Sequence, residues 1–289
     1  MSSTINTNIA SLNAQRNLAM SQSSLATSMQ RLSSGLRVNS SKDDAAGLSI
    51  AERMNAQVRG MNVGMRNAND GISLGQTAEG ALGQVSNSLQ RMRELAVQAR
   101  NSTNSDADKE SLDKEFGELA KEIQRVLGGT TFNGKHVLGS QAGSLTFQVG
   151  ANTSTDDSID IVTSNMTTAT EITTVAGTNG NVDASRAKIG STATSSDIGT
   201  VIDNIDSALD KVNSERATMG ASQSRFDSVV SNLQISIENQ SAARSRIMDA
   251  DFAAETANLS RAQILQQAGN TMVAQANQLP QQVLALLRS

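Results

Sequence analysis

The sequence has no cysteine, tryptophan or tyrosine, and one histidine and one proline among its 289 residues. Disulfides are therefore excluded, and the residue types that zinc and transition-metal sites mainly use are almost absent. Aromatic residues make up 2% of the chain, which favours long helices with narrow apolar seams over a thick core. Because the net charge is −4, no large positive field is available for nucleic acid. We expect no metal, no cofactor and no nucleic-acid partner.

Long apolar runs are also missing. No stretch approaches the roughly 18 consecutive apolar residues of a spanning helix, so we expect no membrane partner. The first residues, MSSTINTNIASLNAQRNLAM, lack the basic and apolar regions of a secretory signal. If the protein leaves the cell, it must use a route that cleaves no signal peptide.

Both ends of the chain have helical periodicity. Apolar residues in 1–42 recur every three or four positions, which predicts a helix face made of Ile5, Ile9 and Leu12, then Leu25, Met29 and Leu32. In the tail, Ala262–Leu287 contains no charged residue. Its apolar residues Leu265, Met272, Leu279 and Leu286 repeat every seven positions, with Val283 four beyond Leu279. Both terminal helices are therefore amphipathic, and Pro280 should bend the second.

In the middle of the chain, the spacing of apolar residues changes twice. Residues 43–162 carry two helical seams and then the alternation of a β-hairpin, with Leu145 and Phe147 on one strand and Ile159 and Ile161 on the other. Residues 163–196 are rich in Thr, Ser and Gly and are interpreted either as a mobile loop or as a small surface excursion with some strand character. In 197–248, a seam from Ile202 to Ile247 advances by alternating threes and fours, as in a coiled coil. Four polar residues interrupt this seam and could fix its register: Arg216, Gln223, Gln240 and Arg244.

Nothing in the sequence supports catalysis. His136 has no second histidine to act with, so we interpret it as a loop or strand-edge residue. The adjacent pairs Asp43–Asp44 and Asp156–Asp157 are interpreted as turn or capping residues instead of a calcium or acid–base site. Gly64, Gly71 and Gly75 do not follow a strand, which argues against a phosphate-binding loop.

Five stretches together resemble the bacterial flagellins, the subunits of the flagellar filament. They are INTNIASLNAQRNL (5–18), LSSGLRVNSSKDDAAGLSIAERM (32–54), LQRMRELAVQARN (89–101), FNGKHVL (132–138) and ARSRIMDADFAAETANLSRAQILQQAGNTMVAQANQLPQQVLALLR (243–288). The resemblance covers everything except the Thr- and Ser-rich middle. It implies a mainly α fold: a long coiled-coil helical rod with a small β-hairpin region, and terminal helices that pair as an inner coiled-coil domain.

The resemblance also implies a domain organisation. Residues 1–42 and 249–289 are the two halves of the inner coiled-coil domain, and 43–162 and 197–248 form the rod, in which the second part is a long returning helix. Residues 163–196 are a short variable surface loop or a rudimentary outer domain.

The implied function is structural. Such a subunit is exported unfolded by the flagellar type III route and polymerises through its terminal helices into an extracellular filament for swimming. The implied partners are further copies of the chain, an export chaperone on the C-terminal helix, the filament cap and the hook–filament junction proteins.

A further partner follows from the same resemblance. In many flagellins the helix carrying the LQRxRELAVQ motif is recognised by a vertebrate innate immune receptor. Arg91 and Leu95 match that motif here, and Glu115 matches its acidic partner on the facing helix.

Three alternatives remain at this point. A hook–filament junction protein has similar termini, although 89–101 and 262–288 fit flagellin better. A membrane-active amphipathic effector would normally carry Lys or Arg on its polar face, and Ala262–Leu287 has neither. An enzyme is disfavoured because the chain has no cysteine and a single histidine.

Overall fold

The computed structural model describes residues 7–178 and 185–286, with the side chains of 279–286 left out of the description. Helices dominate this part of the chain, and four short strands interrupt them. In order, the elements are α1 (Ile9–Ser34), α2 (Ala45–Ala99), α3 (Asp106–Gly129), β1 (Thr131–Phe132), β2 (Lys135–His136), β3 (Ser144–Gln148), β4 (Ser158–Val162), α4 (Thr170–Ala176), α5 (Ser195–Met248) and α6 (Phe252–Leu286). The predicted mainly α fold with a small hairpin region is confirmed.

The chain divides into two compact units. We call Met1–Ala56 with Glu238–Ser289 the terminal unit, and Gln57–Ile237 the central unit. The predicted domain boundaries at 42/43 and 248/249 therefore fall inside the terminal unit. The physical reason is that the turn after α1 contacts the end of α5, where the Arg37 guanidinium donates to the Ile247 carbonyl at 2.7 Å.

The polar segment between α1 and α2 is held by its own aspartates. Asp43 accepts hydrogen bonds from the backbone amides of Ser40 and Asn39, and these lower its pKa below the ordinary value. Asp44 accepts from the Gly47 amide at 2.8 Å in the first turn of α2. In the hairpin connection, Asp157 accepts from the Ser154 amide and hydroxyl. The capping interpretation is thus confirmed for three of the four aspartates.

Helices α2 and α5 supply most of the core of the central unit. The predicted α5 seam is confirmed by four fully buried residues: Ile205, Val212, Met219 and Phe226. The seam has a second row of buried residues spaced by seven. This row lies one residue earlier in the sequence than predicted, at Val201, Ala208 and Glu215. The shift arises because α5 also packs against the chain after β4, where the Glu215 carboxylate accepts from the Ser164 amide at 2.9 Å.

Polar residues of the predicted seam find partners on α2. Gln223 donates to the Glu79 carboxylate at 3.1 Å, and the Arg216 guanidinium lies 3.9 Å from the same carboxylate. Within the terminal unit, Arg244 donates to Asn55 at 3.0 Å. These pairings match only one alignment of the helices, as expected for residues that fix register.

Two antiparallel hairpins follow α3. The first, β1–β2, turns at Asn133 and Gly134, whose φ values of 49° and 78° are typical of an Asn-Gly hairpin turn. It places His136 in a two-stranded sheet, which confirms the strand-edge interpretation. The second pairs β3 with β4, and Phe147 lies opposite Ile159.

Glycines on α2 allow this second hairpin to approach the helix. A Cβ at Gly64 would overlap the Val149 carbonyl, and a Cβ at Gly60 would lie 2.7 Å from the Cβ of Ala151. A Cβ at Gly71 would lie 2.8 Å from the Phe226 ring, which itself packs edge-on against Phe147 with ring centroids 5.6 Å apart. The glycine spacing noted in the sequence therefore serves close packing.

The segment 163–196 differs from both sequence interpretations. Its described residues form helix α4 and no strand, and four of its apolar side chains are fully buried in the core: Met166, Ile172, Val175 and Ile189. Gln124 on α3 donates a hydrogen bond to the Gly177 carbonyl. The segment is packed because its scattered apolar residues cover the face of α3, which periodicity alone does not reveal.

A buried ion pair fastens this segment to α3. The Arg186 guanidinium donates to both carboxylate oxygens of Asp113, at 3.0 and 2.7 Å, and the Ile189 amide donates to the same carboxylate at 2.8 Å. The two side chains are 7% and 13% exposed. Burial acts to raise the pKa of Asp113, but the hydrogen bonds from Arg186 and Ile189 outweigh it, so the pKa is lowered.

The close approach at Gly64 predicts a specific sensitivity to substitution. We expect Gly64→Ala to cost about 1–3 kcal/mol in the free energy of unfolding, because the added methyl group must displace backbone at Val149. At Gly80 on the same helix, nothing beyond the adjacent residues and the local helix backbone lies within 4 Å of the position that a Cβ would take. Gly80→Ala should therefore stabilise the chain by about 0.5–1 kcal/mol. Urea unfolding of both variants tests this, and equal effects would contradict it.

The Asp113–Arg186 pair predicts a pH dependence of stability. Asp113→Asn should cost about 3 kcal/mol near neutral pH, since it replaces the carboxylate of a buried ion pair by a neutral amide. The pKa of Asp113 is lowered on folding, so its contribution is fully present above the unfolded value of about 3.9 and is lost as pH falls through the folded value. Unfolding curves of the two proteins should converge over that acidic range. Glu118→Gln, which breaks an exposed pair with Lys121, should leave a curve close to that of the unchanged chain.

Candidate functional site

In the terminal unit, α1 and α6 pair as an antiparallel coil. The Asn8 amide nitrogen donates to the Ala276 carbonyl and the Ser11 hydroxyl to Asn277, both at 2.7 Å, near one end of the pair. Near the other end, the Arg31 guanidinium lies 3.9 Å from the Glu255 carboxylate. The sequence prediction that the two terminal helices pair with each other is confirmed for the described residues.

Most of the seam between these helices is built from small and polar residues, with Leu18, Leu25, Leu32, Leu259 and Val273 as the exceptions. On α1, positions spaced by three and four are buried or half-buried: Ser11, Ala14, Leu18, Ser21, Leu25, Ser28 and Leu32. On α6 the corresponding positions are Glu255, Leu259, Ala262, Gln266, Gly269, Val273 and Ala276. The small side chains let the two backbones approach closely, and a Cβ at Gly269 would lie 3.1 Å from the Leu18 side chain.

The terminal unit consequently buries little apolar surface. Among its described residues, the buried apolar side chains are Val38, Ala51, Ala262 and Ala276, and three of these four are alanines. The fully buried Phe, Leu, Ile and Met residues of the described chain all belong to the central unit. The described residues of a single terminal unit thus supply little core with which to stabilise two long helices in isolation.

The residues predicted to mediate polymerisation fall into three groups. Leu25 and Leu32 lie half-buried in the seam of the coil. A larger group lies outside the seam and is exposed: Ile9 (67%), Leu12 (57%), Met29 (57%), Leu265 (50%) and Met272 (61%). The remaining four, Ile5, Leu279, Val283 and Leu286, lie outside the residues whose side chains are described.

Four of these five exposed residues lie on two opposite flanks of the coil, and Ile9 faces away from the seam. Counted from the seam in heptads, Met20, Leu265 and Met272 are on one flank, and Leu12 and Met29 are on the other. Met20 and Leu265 line a groove of about 710 Å³ whose walls otherwise carry hydroxyl, amide and charged groups. The sequence analysis missed Met20, because periodicity alone does not show which residues form the seam and which lie beside it.

The connection between α1 and α2 is hydrogen-bonded to the connection between α5 and α6. Leu36 and Asp249 form an isolated antiparallel bridge, and the Ala250 amide donates to the Gly35 carbonyl at 2.9 Å. Gly35 ends α1 with a left-handed φ of 71°. The α1–α2 and α5–α6 connections are therefore fixed at the same level of the terminal unit.

Side chains that could ligate a metal are scattered over the described part of the chain. No group of three or more His, Asp or Glu side chains there is placed to hold a metal ion. Within those residues, no helix is long and apolar enough to cross a membrane.

Comparison with known proteins gives two family matches. Residues 5–143 match the bacterial flagellin N-terminal helical region, and residues 202–287 match the bacterial flagellin C-terminal helical region. The chain belongs to the bacterial flagellin family. It is a structural subunit of the flagellar filament, the extracellular polymer that serves swimming motility.

Full-length flagellins of other bacteria support this membership. The flagellin of Halalkalibacterium halodurans is 42% identical over 284 residues, which are 98% of this chain and 99% of that protein. The flagellin of Xenorhabdus nematophila is 43% identical, with both chains covered completely. Flagellin A of Vibrio anguillarum is 35% identical in an alignment of 381 positions that also covers both chains. The 289-residue chain is thus a short flagellin.

Among solved structures, the crystal structure of Bacillus cereus flagellin is 32% identical and superposes with a TM-score of 0.47. The superposition covers 58% of this chain and 88% of that one.

The candidate receptor residues of this flagellin are only partly at the surface. The Arg91 guanidinium pairs with the Glu115 carboxylate at 2.8 Å and with the Glu94 carboxylate at 3.0 Å, and the hydrogen bonds that it donates to Glu94 and Glu115 raise the pKa of Arg91. Both Arg91 and Glu115 are exposed. Leu95 is 1% exposed, so its assignment as a receptor contact is wrong for this structure: it points into the core of the central unit.

Proposed function

We propose that this flagellin polymerises by covering both flanks of the α1–α6 coil with the terminal helices of neighbouring copies. The supporting observation is that the seam of the coil consists mostly of small and polar residues, whereas five large apolar side chains identified from the sequence are at least half exposed outside it. Residues 1–42 and 249–289 then form the inner coiled-coil layer of the filament. Burying each such side chain contributes about 1.5–3 kcal/mol, which offsets the entropy of ordering the helices.

The placement of apolar residues on opposite flanks favours an open polymer. A contact in which one flank meets the other flank of the next copy is head-to-tail, and repeating it without closure generates a helical filament. The central unit has its own core and does not require neighbours for it. We infer that the terminal unit supplies the polymerisation energy.

Other steps of assembly follow from family membership. We propose export in an unfolded state, an export chaperone that binds α6, and contacts with the filament cap and hook–filament junction proteins. The scarcity of core in the terminal unit supports this, because helices that bury so little can be kept unfolded at low free-energy cost. We propose no enzymatic activity, in keeping with a chain that has no cysteine and one histidine.

The flank carrying Leu265 and Met272 provides the direct test. A chain with both Leu265→Asp and Met272→Asp should elongate filament seeds at least about tenfold more slowly, since two charges would be buried without partners. The matched control is Leu265→Met with Met272→Leu, which preserves apolar character and should restore elongation. Electron microscopy and sedimentation give the readout.

The central unit serves as the folding control in that experiment. Its urea unfolding should be unchanged in the aspartate variant, because both substitutions lie on exposed positions of α6. Normal elongation by the aspartate variant, or by a chain truncated after Ala262, would overturn the proposed polymerisation surface.

We also propose that the Arg91–Glu115 pair is the part of this flagellin available to a host innate immune receptor. Its support is the matching motif and the exposure of both side chains. Leu95 would contribute only indirectly, because its side chain packs α2 onto the core of the central unit.

Arg91→Ala should therefore reduce receptor activation in a reporter-cell assay by about tenfold or more, as expected for loss of an interfacial Arg anchor. The control is Arg125→Ala on α3, which removes a similarly exposed arginine paired with Glu122. Unchanged activation with Arg91→Ala, or an equal loss with Arg125→Ala, contradicts the assignment.

A further inference from the structure

Methionine carries all the sulfur of this chain. The sequence has eleven methionines and no cysteine, and it also lacks tryptophan and tyrosine. Methionine thioethers are therefore the main side chains that a peroxide can oxidise. Where they are exposed determines where oxidation acts on the molecule.

The most exposed of the described methionines all lie in the terminal unit. Three are more than half exposed, and all belong to α1 or α6: Met20 (56%), Met29 (57%) and Met272 (61%). In the central unit, Met92, Met166 and Met219 are fully buried. Met54, Met65 and Met248 are half-buried.

We propose that Met20, Met29 and Met272 form an oxidation checkpoint on assembly, in which a peroxide modifies the free subunit and the modified subunit is not added to the filament. The proposal rests on the proposed function, because these residues lie on the flanks that neighbouring copies cover. Met20 and Met272 lie on one flank and Met29 lies on the other, so oxidation affects both contacts of a head-to-tail polymer.

The chemistry needs only hydrogen peroxide as co-reactant. A sulfur lone pair attacks one peroxide oxygen, the O–O bond breaks and an S–O bond forms. The sulfur gives up two electrons and becomes a sulfoxide, and the other oxygen leaves as water after a proton shift. The product is a polar acceptor in place of an apolar thioether, and burying it without a donor is unfavourable.

The same reasoning predicts protection after assembly. Once neighbouring copies cover the flanks, the three thioethers are withdrawn from solvent. Oxidation is then slow in the filament and fast in the free subunit. Methionine sulfoxide reductases can reverse the modification before a subunit is assembled.

The experiment treats the full-length subunit with hydrogen peroxide, removes the peroxide with catalase, and measures seeded elongation. Mass spectrometry of peptides gives the sulfoxide fraction at each methionine. Met20, Met29 and Met272 should oxidise at least about tenfold faster than Met92, Met166 and Met219, and elongation should fall about tenfold. Preformed filaments given the same treatment should show protection at the three sites.

Two triple variants separate the checkpoint from general damage, each compared with its own untreated elongation rate. The chain with Met20→Leu, Met29→Leu and Met272→Leu should keep that rate after peroxide. The chain with Met54→Leu, Met65→Leu and Met248→Leu should remain as sensitive as the unchanged chain. The proposal is overturned if the first variant loses as much elongation as the unchanged chain, or if the sulfoxide form elongates normally.

Failure of the checkpoint can be distinguished from failure of the assembly surface. If the Leu265→Asp and Met272→Asp chain is blocked while the sulfoxide form elongates normally, the surface stands and the checkpoint is wrong. If that aspartate chain also elongates normally, both proposals are wrong.

Discussion

The close approach of α1 and α6 constrains the rest of the terminal unit. Two helices can pack at short range only where their facing side chains are small, and the seam here offers Ser28, Ala262, Gly269 and Ala276 at such positions. Some of the larger apolar residues, such as Leu18 and Leu259, share the seam, and others, such as Leu265 and Met272, lie on the flanks of the coil. A seam of this kind gives specific pairing but little burial, so one copy of the chain has little with which to stabilise two helices of 26 and 35 residues.

The central unit is packed differently, around large apolar side chains. Its core contains large residues from several elements, such as Leu89 on α2, Phe116 on α3 and Phe226 on α5. Glycines on α2 bring the backbone of the second hairpin against the helix, and the Asp113–Arg186 pair fastens the segment before α5 to α3. The result is a unit with a large apolar core of its own. Under the proposed function, the chain therefore combines a part that needs no neighbours with a part that neighbouring copies stabilise.

Much of this organisation could be predicted from the sequence. Heptad spacing located α5 and one row of its seam, and alternation located β3 and β4. Asp43 and Asp44 indicated the turn after α1, whereas the boundary at 248/249 came only from the family resemblance. Periodicity could not distinguish the seam of α1 and α6 from their flanks, because both repeat every seven residues. Ser11 and Ser28 gave no apolar signal although they are buried.

Contacts between residues far apart in the sequence could not be predicted either. The 163–196 segment has too few apolar residues to show a clear hydrophobic period. Several of these residues are nevertheless buried, because they pack against a face of α3 that no other described element covers. Asp113 and Arg186 are 73 residues apart, and no local pattern links them. Leu95 matched a family motif correctly, but a motif does not show which way a helix turns its side chains.

The central claim is that the terminal helices are stabilised mainly by neighbouring copies, and hydrogen exchange tests it most directly. In the free subunit, amides of α1 and α6, such as those of Leu12 and Met272, should exchange at least about 100-fold faster than those of Leu89 and Ile123 in the central unit. In the filament, the amides of α1 and α6 should become as protected as the central ones. Strong protection at Leu12 and Met272 in the free subunit, or no gain on assembly, would contradict the account.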